Sequence, residues 1–233
     1  MPSSPARSAG KSGAAFDAVI DAILWDNDGV LVDTERLFYA VNRDFLAEHG
    51  VTLNEQDFFD WFLLENHGAW HVLAARGMSA RQIDALRTER NARYGAYLAR
   101  QENLAIEGMP ALLARLAPRL PMGVVTSASA EHFGIIHRHL GLRQHLRFVV
   151  TDSDYVNSKP SPEPYLLGLD KLGVAGARCL AVEDSPRGLK AALAAGIRCI
   201  ILRNAMTAHY RFEGAYRVVD SVAQLGHEID ALL

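Results

Sequence analysis

The sequence has few cysteines, no excess of positive charge and no long apolar run. Its two cysteines, Cys179 and Cys199, stand in apolar, strand-like segments, which favours buried, reduced thiols and a cytoplasmic protein. No apolar run approaches the roughly 20 residues that span a membrane. A formal net charge of −3 indicates no basic face for nucleic acid, although a small anionic ligand could still meet local positive charge in a cleft. We therefore expect no membrane partner, no nucleic-acid partner, and a monomer.

The chain is long enough for one large domain, or for a core with a smaller inserted domain. It has 233 residues, of which 49% are apolar, so a sizeable core can be buried. Residues 1–15 are rich in Pro, Ser, Gly and Ala, which predicts a mobile tail. No apolar run follows the positive charges of this tail, so a signal peptide is not expected.

Six short apolar runs predict buried parallel strands. Each is bounded by polar, Gly or Pro residues and is apolar at consecutive positions, as in a strand covered on both faces. The first ends at Trp25, and the others cover 122–126, 147–151, 179–182, 198–202 and 216–219. Helical spacing of apolar residues alternates with them in 110–120, 131–140, 162–172 and 186–195. This alternation predicts an α/β fold whose core is a doubly wound, parallel, Rossmann-like sheet.

The interval between the first two strands breaks this alternation. It contains no convincing strand, but it has helical spacing in 36–49, 56–67, 69–76 and 80–100. We therefore predict an inserted all-helical domain, the cap, at 35–106. The α/β core is predicted to consist of 16–34 and 107–233.

Reactive side chains follow four of the predicted strands. In chain order they are Asp26 and Asp28, then Thr126 and Ser127, then Lys159, and finally Glu183 and Asp184. Because the carboxyl ends of parallel strands meet at one edge of the sheet, we expect these side chains to converge. Carboxylates from Asp26 and Asp184 would form the kind of oxygen-lined site that suits Mg²⁺.

This set of residues predicts phosphoryl transfer. With Mg²⁺ reducing the repulsion between two anions, Asp26 can attack phosphorus. Asp28 is placed to protonate the leaving oxygen and later to activate water. Lys159 and a hydroxyl from Thr126 or Ser127 would hold the phosphoryl oxygens. Gly29 would let the backbone turn closely beside the phosphate, as a substrate contact.

Each motif alone also has an ordinary structural interpretation. The DNDG segment at 26–29 could be a turn, since these residue types favour turns. Thr126 or Ser127 could merely cap the next helix. Lys159 could be a solvated surface lysine, and Asp184 could add favourable charge to a helix N-terminus. Their joint occurrence, in order and at strand ends, favours the chemical interpretation.

The motifs resemble those of the haloacid dehalogenase superfamily. The similarity is to its branch with an α-helical cap, which includes β-phosphoglucomutase and phosphoglycolate phosphatase, and it covers 22–219. The first motif, DxDGxLxDTE, matches 26–35, and the second is a Thr or Ser ending the second strand. The lysine of the SKP element matches Lys159, and the acidic pair of VEDSxxG matches Glu183 and Asp184.

The resemblance implies a role for each carboxylate. Asp26 would be the nucleophile and Asp28 the acid/base. The Asp26 side chain, the Asp28 backbone carbonyl and Asp184 would hold Mg²⁺, with Glu183 beside it. Because Asp28 is present, dehalogenase and phosphonate-cleaving activities are not expected.

The hydroxyl of the second motif stays open at this point. The hydrophobic pattern favours Thr126, whereas counting from Gly108 as in β-phosphoglucomutase favours Ser127. We favour Thr126 and expect the amide or hydroxyl of Ser127 to help.

Substrate choice is expected to lie in the cap. Most cap aromatics are predicted to form its core, whereas Asn66 and His67 are predicted to contact substrate. The cap lacks the Gly-x-Arg segment with which the mutases grip a phosphate, and none of the candidate arginines stands in that setting; these are Arg76, Arg81, Arg87 and Arg93. We therefore predict a phosphatase acting on a small phosphorylated metabolite. The alternatives are a sugar phosphomutase and a phospho-accepting domain of the response-regulator type.

Overall fold

The structure is a computed structural model that describes residues 19–233. The predicted mobile tail, 1–15, lies outside the described residues. Six strands form one sheet in the order β3-β2-β1-β4-β5-β6, and all neighbouring pairs are parallel. The strands are β1 Ala22–Trp25, β2 Met122–Val125, β3 Val149–Val150, β4 Cys179–Glu183, β5 Arg198–Leu202 and β6 Arg217–Val219. The predicted doubly wound parallel sheet is confirmed.

Helices cover both faces of this sheet, because its strands are apolar at consecutive positions. In β1, Ile23 and Trp25 face one apolar cluster, whereas Ala22 and Leu24 face another. The first cluster is completed by α5 Met109–Leu116, α6 Ala130–His137 and α9 Val222–Asp230. The second is completed by α7 Glu163–Leu172 and α8 Pro186–Ala194. The core is therefore a three-layer sandwich with the sheet in the middle.

The segment between β1 and α5 is helical. It contains α1 Glu35–Glu48, α2 Glu55–Phe58, a π-helical segment Phe59–Leu64, α3 Trp70–Ala75 and α4 Ala80–Leu98. These helices share their own apolar cluster, which is rich in aromatic side chains such as Phe58 and Trp70. Met206 of the sheet domain joins this cluster, so the helical segment rests against the core. The division at 35–106 into a separate domain stays a prediction.

The two chain segments that join the cap to the core run side by side. The amide of Asp33 donates to the carbonyl of Leu104 at 2.8 Å, and the amide of Ile106 donates to the carbonyl of Leu31 at 3.1 Å. Val32 and Ala105 form an isolated antiparallel bridge between these bonds. These two linkers, 31–33 and 104–106, therefore lie next to each other and satisfy each other's backbone groups.

Several element boundaries differ from the sequence prediction. The predicted helix 56–67 ends at Leu64, because Asn66 adopts a φ of 59°, in the left-handed region. The predicted strand 147–151 is reduced to two residues. Helix α9 was not predicted at all. Among residues 19–233, every helix is too short or too polar to cross a membrane.

Gly168 of α7 allows this helix to approach the sheet closely. A Cβ there would lie 2.9 Å from Leu24 Cδ1 and 3.0 Å from Val125 Cγ2, both on buried strands. We predict that Gly168→Val lowers the free energy of unfolding by about 1–3 kcal/mol, the usual cost of overpacking a core. Urea denaturation followed by circular dichroism measures it.

Gly134 of α6 provides the matched control, because a Cβ built there meets nothing within 4 Å. Gly134→Val should change the free energy of unfolding by less than about 0.5 kcal/mol. Equal destabilisation by the two substitutions would contradict the packing argument.

Candidate active site

The carboxyl ends of the strands and the cap enclose a cavity of about 410 Å³. From the core it is lined by residues predicted from the sequence to be functional: Asp26, Asp28, Thr126, Ser127 and Asp184. From the cap it is lined by Asn66 and His67, also as predicted, together with aromatic and basic side chains. The predicted convergence at one edge of the sheet is therefore present in the structure.

Lys159 is buried beside Asp26, and its amine donates hydrogen bonds to three oxygen atoms of the protein. Its Nζ donates to Asp26 Oδ1 at 2.8 Å, to Glu183 Oε1 at 2.5 Å and to the carbonyl of Val125 at 2.9 Å. Burial opposes charging of this amine, but the two carboxylates outweigh it and raise the pKa of Lys159. Since Lys159 is 1% exposed, the alternative of a solvated surface lysine is wrong.

The loop that carries Lys159 is held by Glu163, the first residue of α7. Its carboxylate accepts from the amides of Val156 and Asn157, at 2.8 and 2.9 Å. The cap holds the same loop, because Asn66 Nδ2 donates to Ser158 Oγ and to the carbonyl of Lys159. Lys159 is thereby positioned from the core and from the cap.

Glu183 ends β4 and Asp184 follows it, and the two carboxylates have different partners. Glu183 Oε1 accepts from Lys159 and also from the hydroxyl of Tyr165 at 2.8 Å, so this oxygen is engaged within the core. Asp184 Oδ2 accepts from Asn204 Nδ2 at 2.8 Å and borders the cavity. The next residue, Ser185, caps α8 by accepting from the amide of Gly188 at 3.1 Å.

Gly29 lies against Asp184. It has a φ of +74°, and a Cβ there would lie 1.9 Å from Asp184 Oδ2, so only glycine fits. The close backbone approach that we predicted is thus made towards a carboxylate. Its contact with substrate stays a prediction.

Three carboxylates, from Asp26, Glu183 and Asp184, place oxygen atoms within 4.8 Å of one another. Burial, and then the charge of Glu183, raise the pKa of Asp26 to about 7. Burial, and then the charges of Glu35 and Asp26, raise the pKa of Asp184 well above its ordinary value. The ionised forms of this cluster therefore need more positive charge than Lys159 supplies. A divalent cation with a preference for oxygen ligands fits this donor set.

Both carboxylate oxygens of Asp28 accept hydrogen bonds. Thr34 Oγ1 donates to Oδ1, and Asn27 Nδ2 donates to Oδ2 at 3.2 Å. Thr126 Oγ1 lies 3.5 Å from Oδ2, at the limit of a hydrogen bond. The carboxylate is therefore held in one orientation at the edge of the cavity.

Asn27 is oriented in turn by His137, the last residue of α6. His137 Nε2 lies 2.7 Å from Asn27 Oδ1, so the ring donates this bond through a protonated Nε2. The imidazole stacks on Phe133, with ring centroids 4.0 Å apart. The bond from His137 fixes the amide of Asn27 so that its nitrogen faces Asp28.

The two candidate hydroxyls of the second motif have different partners. Thr126 Oγ1 accepts from the amide of Ala128 at 3.0 Å. Ser127 Oγ accepts from Arg187 Nη1 at 3.2 Å, and the same nitrogen donates to Asn66 Oδ1 at 3.0 Å. Neither hydroxyl caps α6, because Ser129 does so by accepting from the amide of His132 at 3.2 Å. The capping interpretation of Thr126 and Ser127 is therefore wrong.

Several residues of the site were missed by sequence reasoning. Thr34 and Glu35 belong to the matched first motif, and Arg187 stands within the matched fourth motif, so the sequence carried a signal for these three. Asn204 and His137 lie outside every motif and had none. Glu35 borders the cavity with a buried Oε2 that lacks a hydrogen-bond partner. Burial and the nearby Asp28 raise the pKa of Glu35 to about 8.

Comparison with known proteins now adds to this geometry. The family model of haloacid dehalogenase-like hydrolases matches residues 23–202, which include the whole acidic cluster. The chain belongs to the haloacid dehalogenase-like hydrolases. This membership excludes the response-regulator alternative, and it agrees with the insertion of a helical segment after the first strand.

Relatives of known structure or name support the same placement within the haloacid dehalogenase-like hydrolases. The chain is 32% identical to the N-acetylmuramic acid 6-phosphate phosphatase of Pseudomonas aeruginosa, over 79% of this chain and 82% of the relative. CbbY from Rhodobacter sphaeroides, solved with bound phosphate, is 30% identical with a TM-score of 0.76, over 89% of this chain and 96% of that one. The β-phosphoglucomutase of Clostridium difficile, 22% identical, shares the fold with a TM-score of 0.77, over 91% of this chain and 97% of that one.

The buried imidazole of His137 gives a prediction for stability against pH. Burial lowers the pKa of His137 to about 4 from an ordinary 6.5. In this pH range the unfolded chain binds a proton at this histidine that the folded protein does not bind. The free energy of unfolding therefore falls as the pH falls from about 6.5 towards 4. His137→Gln keeps a donor for Asn27 but cannot take up this proton. Between pH 6.5 and 4, we predict that the free energy of unfolding of this variant falls on the order of 2–3 kcal/mol less than that of the unsubstituted protein.

The measurement is the free energy of unfolding of both proteins at several pH values between 4 and 7.5. His139→Gln, two residues further along and exposed, is the control and should follow the unsubstituted protein. Parallel pH profiles for the unsubstituted protein and the His137 variant would contradict this account.

Proposed function

We propose that this protein is a Mg²⁺-dependent phosphatase that hydrolyses a small phosphorylated metabolite through a phosphorylated Asp26. The observation that carries the proposal is the pair Asp26 and Asp28, set two residues apart at one wall of a cavity that also borders a buried acidic cluster. A hydrolase with a covalent step needs a nucleophile and an acid/base side by side. This wall supplies both.

Asp26 is the proposed nucleophile. One of its oxygens, Oδ1, is held by Lys159, which leaves Oδ2 for attack on phosphorus. Glu183 and the carbonyl of Val125 also accept hydrogen bonds from Lys159, and these bonds keep the amine next to Asp26. We propose that Lys159 holds Asp26 in place and offsets the charge of Glu183. Contact of Lys159 with the phosphoryl oxygens stays a prediction.

Asp28 is the proposed acid/base. In the first half of the reaction, Asp26 forms a bond to phosphorus while the ester oxygen leaves with a proton from Asp28. In the second half, Asp28 takes a proton from water, whose oxygen attacks phosphorus and releases Asp26 and inorganic phosphate. The bonds from Thr34 and Asn27 keep Asp28 oriented through both halves.

The side chains of Asp26 and Asp184 and the backbone carbonyl of Asp28 are the proposed holders of Mg²⁺. Such an ion, when bound, offsets the repulsion between a phosphate dianion and the carboxylates. We retain Glu183 as a predicted ligand. Its Oε1 is engaged by Lys159 and Tyr165, and its Oε2 accepts from the hydroxyl of Ser185 at 3.2 Å. Asn204 keeps Asp184 pointing into the cluster.

Phosphoryl oxygens are proposed to bind at the second wall of the cavity, formed by Thr126, Ser127 and Arg187. A guanidinium and two hydroxyl groups there can donate to an anion as its charge develops. Arg187 also reaches Asn66 of the cap. A phosphate bound here would therefore lie at the contact between cap and core, where closure would exclude water.

The cavity restricts the substrate to a small molecule. Its volume and its aromatic wall, which includes Phe38, Phe62 and Trp70, suit a leaving group of few atoms. One relative is named as a phosphatase of N-acetylmuramic acid 6-phosphate, a small phosphorylated metabolite, and this supports a substrate of the same class. Contact of the substrate with Asn66 and His67 stays a prediction, as do a monomeric state and a cytoplasmic location.

The covalent step is testable by rapid quench. With Mg²⁺ and p-nitrophenyl phosphate, we expect a phosphorylated protein whose added mass maps to Asp26. Asp26→Asn should abolish turnover and labelling, because an amide is a poor nucleophile. Asp28→Asn should slow decay of the phosphorylated form more than its formation, since nitrophenolate leaves without a proton. Mass spectrometry of the quenched peptides gives the result.

Excess chelator is the control for the metal, and it should prevent labelling until Mg²⁺ is restored. Phosphate mapped to another residue would contradict the assignment of Asp26. Full turnover in chelator would contradict the assignment of the metal.

Water is the proposed acceptor of the phosphoryl group. None of the four cap glycines, Gly50, Gly68, Gly77 and Gly95, is followed two residues later by arginine, so the mutase-type phosphate grip is missing. With β-glucose 1-phosphate and a trace of the 1,6-bisphosphate, we expect free phosphate and no glucose 6-phosphate. Enzymatic assay of both products decides it. Glucose 6-phosphate forming faster than free phosphate would make the protein a mutase.

A further inference from the structure

His137 is a buried histidine that reaches the reacting groups only through another residue. It ends α6, is 8% exposed, and is not one of the side chains among residues 19–233 that line the cavity. Its ring stacks on Phe133, and burial lowers its pKa to about 4, so the imidazole is neutral at neutral pH. A neutral imidazole carries one hydrogen, and the position of that hydrogen decides which ring nitrogen donates.

The neighbouring atoms assign this hydrogen to Nε2. The side-chain amide of Asn27 bridges His137 and Asp28: one end lies 2.7 Å from His137 Nε2, and the other lies 3.2 Å from Asp28 Oδ2. An ionised carboxylate only accepts, so the amide nitrogen faces Asp28 and the amide oxygen faces the ring. The amide oxygen also only accepts, so Nε2 donates to it. The hydrogen bonds therefore run in one direction, from His137 through Asn27 to Asp28.

The bond from Asn27 matters because an aspartate does not fix the plane of its own carboxyl group. The terminal torsion of this side chain is broad, so hydrogen bonds decide the plane. Thr34 donates to Oδ1 of Asp28 and Asn27 donates to Oδ2. Without the amide, Oδ2 keeps only the hydroxyl of Thr126, at 3.5 Å. A firm bond at each oxygen fixes the carboxyl group, whereas a firm bond at one oxygen lets it turn.

The amide of Asn27 depends on His137 in turn. Asn27 is 0% exposed, so solvent does not reach its oxygen. Removal of the donor at position 137 would leave this buried oxygen without a hydrogen bond, which is unfavourable. The amide would then move to recover a donor, and that movement displaces the nitrogen that holds Asp28.

We propose that His137 is a positioning residue for phosphoryl transfer, which acts through Asn27 to keep the carboxyl group of Asp28 aimed at the ester oxygen and then at the attacking water. The inference rests on the proposed phosphatase function. It adds a residue from outside the cavity and outside every sequence motif. His137 touches no substrate and exchanges no proton with it.

A comparison of two aryl phosphates of similar shape tests the proposal. Nitrophenolate leaves without a proton, whereas phenolate is more basic and needs the proton of Asp28. At pH 7.5 with Mg²⁺, His137→Leu should lower kcat/KM for phenyl phosphate on the order of 10- to 30-fold, since small misplacements of a catalytic group are costly. The loss on p-nitrophenyl phosphate should be several times smaller. Steady-state kinetics on both esters give the two ratios.

Two further histidine variants accompany this comparison. His137→Gln keeps a donor for Asn27 and should restore most of the activity on phenyl phosphate. His139→Leu changes an exposed histidine of the same segment and should match the unsubstituted protein on both esters. Failure of a folded His137→Gln protein to recover activity would contradict the role of the donor.

A double-substitution cycle tests the route through Asn27. Asn27→Leu alone should produce the same dependence on the leaving group, and it provides the test if His137→Leu does not fold. When both residues are replaced, the loss on phenyl phosphate should equal that of Asn27→Leu alone, because His137 then has nothing left to position. Independent, additive losses would overturn the proposed route.

The outcomes separate this inference from the proposed function. Equal losses on phenyl and p-nitrophenyl phosphate would show that His137 only supports the packing of α6, and would overturn the proposal while leaving the phosphatase in place. If the unsubstituted protein shows no Mg²⁺-dependent turnover of either ester, the phosphatase is wrong, and the inference with it.

Discussion

The ion pairs of Lys159 with Asp26 and Glu183 join three separate parts of the chain inside the protein. The lysine lies on the loop after β3, the aspartate directly follows β1, and the glutamate ends β4. Removing Lys159 would leave the buried carboxylates of Asp26 and Glu183 without their cation, which costs several kcal/mol. The packing of the sheet and the orientation of Asp26, the proposed nucleophile, therefore depend on the same group of atoms.

Around this centre the charges are unbalanced in opposite senses on the two sides of the cavity. The core side carries more carboxylates than cations, which favours a bound cation. On the cap side, Arg90 of α4 lines the cavity and has no carboxylate partner among residues 19–233.

Much of the fold and of the core site could be predicted, because consecutive apolar residues fix parallel strands and parallel strands bring their ends together. Asp26, Thr126, Lys159 and Asp184 followed from that single geometric rule. Arg90 could not be found in this way. Helix α4 is polar along most of its length, so its pattern does not distinguish a buried arginine from an exposed one.

The end of the π-helical segment and the contact of His137 could not be predicted from the sequence either. Asn66 ends the helical stretch because its left-handed backbone lets the side chain reach the loop of Lys159, a contact across 93 positions in sequence. His137 orients Asn27 across 110 positions. Such contacts depend on how finished elements pack, and local propensity carries no information about them.

The side-by-side linkers have a consequence for how this architecture can diversify. Because Asp33 is bonded to Leu104 and Ile106 to Leu31, the helical segment leaves and re-enters the core at nearly the same point. The entropic cost of closing a loop grows only slowly with its length. The stability of the sheet therefore depends little on how many residues lie between those bonds. A shorter, longer or wholly different insertion could occupy that gap without disturbing the buried lysine or the strand ends. Evolution can thus exchange the cap, which we expect to choose the substrate, while leaving the residues at the strand ends unchanged.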